Sequence, residues 1–547
     1  MIISEDRLRL LAEQTLAEIK APPCWAMVLE GSIAEGFGNA SSDIDFLLIA
    51  DDDADPPTMP TLLFMDGRRV EVRTRSVGQL AAQFERVRGL AARRVGALPE
   101  DLLNRCQRLL GSHVLRGADL TAGVKELLPA DEFGHILARW WAHRTRHSLL
   151  QAMALDALGE AEEAESWSRS ALVQAAKSWL AARGETYLEP KWLSMQLDRA
   201  GDPGVARRYW ELADPDSVGS PPDGRVAACA RLVADLGVTR VPGGPDGITV
   251  EQARAVTTWQ VADRVHVVRD RRDVFALGAD AGRVWRAMVA GRSVLHTVEG
   301  ALATGVSRPG ALVADFLRLG LLRLAWRGTS VTPVLPLGAP TGPISPPPSE
   351  ARPPVQLAGA AVEGDRSIAL VPLPAVRFGA AAMTLMWSNV LVENAREDLR
   401  GAVARGQWRV AELSARRIVL ACARSLLSAY GVNPLPPDSD VVRRLCLLPA
   451  GLAAIRERAE RIETLRVDSD DAAATVLNEL DALVAAVRSA SGSPAFPASF
   501  DTARAWDDTL AIGYDWLRLG AYLDADLPID EARDLLASGG AQPRPTR

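Results

Sequence analysis

Three acids and a glycine–serine pair carry the clearest chemistry in this 547-residue chain. Asp43 and Asp45 stand two apart, just ahead of the apolar run Phe46 to Ile49. On a strand both carboxylates then leave one face, while Ile44 and Phe46 point into the core. Two carboxylates on one face repel unless a cation sits between them. Mg²⁺ suits such a hard-oxygen pair, being held by one or two carboxylates together with substrate phosphates. Gly31-Ser32, following the apolar run Cys24 to Leu29, supplies the phosphate side. A glycine lets backbone come close to a ligand, and N–H groups that open a helix attract anions. A third acid, Glu71, lies between Val70 and Val72 on the returning arm of a hairpin that spans Thr61 to Arg75 and turns at Asp66-Gly67.

Positioning these residues takes a strand, a tight turn, a short helix and a second strand, with the hairpin alongside. Leu8, Leu11, Leu16 and Ile19 recur at helical spacing, so residues 4 to 20 form a helix able to cover that sheet. Gly-Ser, a spacer, Ser42-Asp43-Ile-Asp45 and then an apolar-acid-apolar strand together resemble the nucleotidyltransferase superfamily of DNA polymerase β. The likeness is to its minimal form, typified by kanamycin nucleotidyltransferase, and covers residues 1 to about 110. It implies an enzyme that moves a nucleoside monophosphate from a nucleoside triphosphate, ATP the favoured one, with two Mg²⁺ ions. Asp43, Asp45 and Glu71 are the implied catalytic and metal-holding residues, and Gly31, Ser32 and Ser42 the implied nucleotide contacts.

Residues 76 to 126 read as helical, and Glu132 to Leu180 reads as two helices broken at Gly159. An internal repeat follows: Trp140 to Gly184 aligns without a gap on Trp387 to Gly431, a constant shift of 247. Gly159 answers Gly406, Glu165 answers Glu412, Arg169 answers Arg416, and Lys177 is met by Arg424. The duplicated unit resembles the HEPN-like helical domain that follows the catalytic domain in kanamycin-type enzymes. Copy one alone continues into Pro190-Lys191-Trp192, where copy two carries Asp438. A Pro-Lys-Trp turn resembles one in bacterial nucleotidyltransferases of this architecture, and places Lys191 as a point charge for the triphosphate. Copy one is therefore expected over the active site, and copy two away from it. His143 and His147 have the i, i+4 spacing of metal ligands, but Arg139, Arg144 and Arg146 surround them, so a polar helix face explains them better.

Between the copies, Ala255 to Leu277 alternates like short strands, and three helices follow at Ala281 to Ala290, Ser293 to Thr304 and Arg308 to Leu319. Val274-Phe-Ala-Leu-Gly, Gly282-Arg-Val-Trp285 and Phe316-Leu-x-x-Gly320-Leu321 resemble the PqqD-type winged-helix fold, over residues 255 to 327. That family recognises leader peptides of ribosomally made peptides by strand addition. The resemblance implies a three-stranded sheet, an uncovered groove around Ala311 to Leu319, and a precursor peptide as partner and acceptor.

The expected fold class is α+β multidomain. Its parts are a polymerase-β-type catalytic domain (1–115), a helical bundle (116–213), a linker (214–254), a PqqD-like domain (255–331), a proline-rich linker (332–378) and a second bundle (379–540). A net charge of −7 disfavours a broad nucleic-acid-binding surface. No stretch has the 18 to 20 apolar residues of a membrane span, and Met1-Ile-Ile-Ser-Glu-Asp-Arg lacks a signal peptide's basic start, which gives a cytoplasmic expectation. The five scattered cysteines form no Cys-x-x-Cys pair, against both a disulfide framework and a zinc site.

Overall fold

The computed structural model describes residues 3–39, 42–51, 56, 59–65, 67–213, 224–241, 243–261, 264–269, 273–288, 292–326, 368–370, 375–429, 435, 438, 440–448, 450–491, 502 and 504–505. Its first unit is α1 (Glu5–Glu18), β1 (Ala26–Glu30), the single turn α2 (Gly31–Ala34), β2 (Ile44–Ala50), β3 (Thr61–Met65) and β4 (Arg68–Ser76). Then come α3 (Val77–Arg94), α4 (Glu100–Leu110), β5 (His113–Arg116) and α5 (Ala118–Glu126). Ser4 caps α1, and Ser76 with Gln79 forms a reciprocal capping box that ends β4 and starts α3.

The sheet runs β3-β4-β2-β1-β5, antiparallel except for the parallel β2–β4 pair. One face packs on α1 through Met27, Leu29, Ile44, Phe46 and Val70, and the other on α3 and α4 through Val28, Leu47, Ile49 and Phe84. Strand β5 departs from the helical reading of residues 76 to 126. His113–Arg116 is too short to show a period, and pairing with β1 makes it a strand.

The helical part follows as α6 (Ala130–Ala157), α7 (Ala161–Ala181), α8 (Leu193–Arg199), α9 (Pro203–Ala213) and α10 (Arg225–Asp235). Helix α10 lies in the stretch expected as linker; its Val226, Cys229, Leu232 and Val233 are buried in one core with α7. The central module holds β6 (Ile248–Gln252), β7 (Val256–Val261), β8 (Arg264–Arg269), β9 (Asp273–Leu277), α11 (Ala279–Ala287), β10 (Arg292–Ser293), α12 (Val294–Leu302), α13 (Pro309–Arg318) and β11 (Leu322–Trp326). After it come β12 (Ile368–Leu370), α14 (Ala375–Val403), α15 (Trp408–Ala429), α16 (Ala453–Thr464) and α17 (Asp470–Ser491). Hairpins α6–α7 and α14–α15 turn at Gly159 (φ +82°) and Gly406 (φ +65°), a left-handed conformation that glycine adopts without strain.

The central module differs from its expectation in three ways. Among the described residues its strands form two sheets, β10-β6-β11 and β12-β9-β8-β7. The edge strand β9 is paired by the chain's own β12, in register Ile368 to Leu277 through Leu370 to Phe275. The surface at Ala311 to Leu319 is not an open groove: Leu312, Val313, Ala314, Phe316 and Leu317 are buried, and Gly310 sits so close to Leu158 that a Cβ there would meet its carbonyl oxygen at 2.1 Å.

A buried ion cluster explains why α13 is covered. Arg318 donates to Glu160 and Asp315 and pairs with Glu163, while Arg443 and Arg444 reach Glu163 and Asp440 from the segment after α15. Four carboxylates and three guanidiniums thus tie α7, α13 and residues 440–444 together. The expected linker at 332–356 and the expected disordered tail at 542–547 lie outside the described residues. Among the described residues no helix is long and apolar enough to cross a membrane.

Candidate functional site

Strand register builds the site. Glu30 pairs with Asp45 across the antiparallel β1–β2 ladder, and Asp45 pairs with Glu71 across the parallel β2–β4 ladder. Residues at one register level share a face, so Glu71, Asp45 and Glu30 form a row across three adjacent strands. Asp43, one residue before β2, joins that face. Strand β1 then turns at Gly31, whose φ is +79°, and a Cβ there would lie 2.4 Å from Asp45 Oδ2. Only glycine lets the turn fold so tightly over the carboxylate.

Arginines meet these acids. Arg69 pairs with Asp43 and also touches Asn394 Oδ1 at 3.3 Å and Glu397 Oε2 at 3.4 Å. Arg73 donates a hydrogen bond to Glu30 and lies 3.4 Å from Glu71 Oε1. Arg108, in the last turn of α4, brings Nη2 to 2.8 Å from Asp45 Oδ2 and Nε to 3.7 Å from Glu30 Oε1. The four acids outnumber the three guanidiniums, and the imbalance shows in Glu71. Burial pushes its carboxyl up and Asp45 adds to the push, against the pull of Arg73 and Arg108. Burial works against the charged form of Arg108, yet Asp45, Glu30 and Glu71 outweigh it and hold its proton more tightly than usual.

The remaining implied contacts are placed as follows. Ser32 is half-buried at the start of α2, and its carbonyl accepts from the N–H groups of Phe37 at 2.9 Å and Gly38 at 2.8 Å. Ser42 closes the loop instead of facing the acids: its hydroxyl accepts from Asn39 N–H at 2.9 Å. Lys191 is taken by Asp398 and by Glu189 at 3.0 Å. Burial lowers the proton affinity of Lys191, and these two carboxylates more than restore it. Glu189 is reciprocally held at about 2, because Lys191 and Arg417 overcome the effect of its burial.

Copy two therefore does not stand away from the site. Asn394, Glu397 and Asp398 all belong to α14, which engages both Arg69 and Lys191. Phe37, from the loop after α2, stacks on Trp192 (5.7 Å, 14°) and shares a core with Leu399, Ile418 and Leu426 of α14 and α15. Helix α14 runs against that loop at Gly401, where a Cβ would meet Asn39 Oδ1 at 2.1 Å. The divergence at Lys191 and Asp438 suggested that only copy one faces the site. Close packing at a glycine and an aromatic anchor bring α14 there as well, while Asp438 pairs with Arg424 at the surface.

His143 and His147 form no metal site. His143 packs against Gly96, His147 is buried edge-on to Trp167 at 5.8 Å, and burial drives His147 down to about 3. Among the described residues no three His, Cys, Asp or Glu side chains are placed together to hold a metal ion. The donor chemistry of Asp43, Asp45 and Glu71, hard oxygens with negative charge in excess, suits Mg²⁺. As arranged, Asp43, Asp45 and Glu71 lie against Arg69, Arg108 and Arg73 respectively, and the three acids are not drawn together into a metal-holding group.

Glu30 and the three arginines escaped the sequence reading. Arg69 and Arg73, two residues either side of Glu71, share its face by strand period, and that signal was available. Arg108 and the α14 residues arrive through tertiary packing, which no local pattern announces.

No family model and no curated protein matches the chain. A solved nucleotidyltransferase-like protein from Exiguobacterium sibiricum 255-15 aligns over 42% of this chain and 74% of its own, with 12% identity and a TM-score of 0.26. That score is too low to show a shared fold.

Proposed function

We propose that the chain is a nucleotidyltransferase that moves a nucleoside monophosphate from a nucleoside triphosphate, ATP the favoured one, to an acceptor hydroxyl or similar group. The observation that carries this reading is the row Glu71–Asp45–Glu30 across three strands, with Asp43 beside it and the Gly31 turn folded over Asp45. In the reaction the acceptor oxygen bonds to the α-phosphorus, the α–β anhydride bond breaks, and pyrophosphate leaves. Magnesium bound by Asp43, Asp45 and Glu71 would supply charge neutralisation at the α-phosphate and the leaving group. Glu71 would either complete that metal site or, its carboxyl held up by burial and Asp45, stay off the metal and take the acceptor's proton. Gly31 gives the phosphates a close approach to backbone.

The acceptor favoured by sequence is a ribosomally made peptide, or an intermediate attached to it, docked on the central module. Strand β12 on the β9 edge and the buried α13 favour a second reading, a small hydroxylated acceptor that does not dock on the central module. The deciding experiment incubates the protein with Mg²⁺, each triphosphate, and either a candidate precursor peptide or a small polyhydroxylated acceptor, and weighs the products by mass spectrometry. A nucleotidyl mass increment on one acceptor class identifies it. No increment on any acceptor, with triphosphate unconsumed, refutes the reading.

A further inference from the structure

We propose that Arg108 is a phosphate-binding residue for the nucleoside triphosphate, and that its pairing with Asp45 gives way to the phosphates. The inference rests on the nucleotidyltransferase reading. Arg69 is fixed on both sides, by Asp43 and by Asn394 of α14, and Arg73 donates a hydrogen bond to Glu30. Arg108 is different. Its Nη2 comes within 2.8 Å of Asp45 Oδ2, yet neither Nη2 nor Nε, both buried, is aligned to donate a hydrogen bond to any described residue.

A buried guanidinium carries five donors in a rigid fork, and leaving them unmatched is costly. No described residue matches that fork, because Asp45 and Glu30 reach it from two different strands at 2.8 Å and 3.7 Å. A phosphate matches it, presenting oxygens that accept two parallel N–H bonds. Position points the same way. Arg108 Nη2 lies 3.3 Å from where a Cβ on Gly31 would be, so the guanidinium borders the turn at which backbone can approach a ligand. Asp45 Oδ2 is 2.4 Å from that same point. One anion entering beside Gly31 meets both groups: it draws Arg108 off Asp45 and leaves that carboxylate free for a cation. A single arginine thus serves in turn as partner of the acid and as holder of the phosphates.

The test is equilibrium binding of a fluorescent ATP analogue in Mg²⁺ buffer, read by anisotropy, so it does not depend on an acceptor or on turnover. Wild-type protein is compared with Arg108→Met and with Arg108→Lys, which keeps the charge and loses the fork. Charge-assisted hydrogen bonds of this kind predict a loss of about ten-fold to a hundred-fold for Arg108→Met, and a smaller loss of at least about five-fold for Arg108→Lys. Competition by adenosine, which has no phosphate, should be unchanged in either variant. If Arg108 served only to neutralise Asp45, its removal would leave triphosphate affinity equal or tighter, and that result overturns the proposal. Should Arg108→Met fail to fold, unchanged affinity in Arg108→Lys overturns it equally. Wild-type protein that binds no triphosphate at all removes the functional reading, and this inference with it.

Discussion

Removing Arg318 should do more damage than removing the acid it binds, and the charge count of the α7–α13 cluster says why. Arg318 donates to Glu160 at 2.7 Å, to Asp315 at 2.6 Å and to Glu163 at 2.7 Å. Glu163 and Asp440 are 2% and 0% exposed, so water cannot replace a lost partner. Leaving aside the exposed Arg308, 3.9 Å from Glu160, Arg318→Met leaves four carboxylates to two guanidiniums, and Glu163→Gln leaves three to three. Breaking a buried pair so that charge is left uncompensated costs about 3–5 kcal/mol. Loss of a hydrogen bond within a balanced cluster costs about 1–3 kcal/mol. Arg318→Met is thus expected to be the more destabilising by roughly 2 kcal/mol.

The pH dependence gives a second check. Burial already raises the carboxyls of Asp315 and Asp440 above their ordinary range, against the pull of nearby arginines including Arg318. An acid whose folded pKa is raised contributes stability at low pH that is lost as pH rises through that pKa. Without Arg318 both carboxyls rise further, so the deficit of Arg318→Met should be larger at pH 8 than at pH 5. Calorimetry and urea unfolding followed by tryptophan fluorescence would measure both effects, with separate transitions allowed for in a multidomain chain. Glu163→Gln proving the worse variant, or a deficit that grows towards pH 5, would refute the argument.

Other predictions follow from the same physics. Gly31→Ala should cost about 1–2 kcal/mol for a left-handed alanine and push Asp45 aside, so that triphosphate binding is lost while the urea midpoint moves only modestly. Lys177 is buried, donates to the Tyr187 and Glu189 carbonyls at 2.9 Å each, and is driven by burial to about 7. The unfolded chain therefore holds a proton that the folded one gives up between about pH 7 and 10, and stability should rise with pH across that window. Lys177→Met should flatten the rise, as melting temperatures from pH 6 to 9 would show. In native protein two thiols, the exposed Cys24 and Cys446, should react promptly with a chromogenic disulfide. Cys106, Cys229 and Cys422, pushed up by burial to about 12, 11 and 12, should react only after denaturation.

Local pattern made part of this molecule legible. Asp45 and Glu71 could each be assigned to the face opposite the buried Ile44, Phe46, Val70 and Val72 by strand alternation, while the adjacency of their strands was implied by the family resemblance. The repeat was visible because Gly159 and Gly406 keep one turn geometry at a constant spacing. Long-range pairing was not legible. Ile368–Leu370 lies in a segment expected as linker and becomes a strand only because β9 offers it a ladder. The apolar residues of α13 fit an open groove as well as a buried interface, and Arg318 decided between them by meeting acids of α7. Helix α14 was placed away from the site since nothing local ties Glu397 and Asp398 to Arg69 and Lys191, which lie more than 200 residues earlier in the sequence.

The central claim is nucleotidyl transfer, and the fate of the α-phosphate tests it most directly. ATP labelled at the α-phosphate and ATP labelled at the γ-phosphate would be incubated in parallel with Mg²⁺, the candidate acceptors, and either wild-type protein or Asp45→Asn. The account predicts that wild-type protein moves the α-label to an acceptor and releases the γ-label as pyrophosphate, with both lost in Asp45→Asn. Transfer of the γ-label instead, or equal transfer by Asp45→Asn, would contradict it.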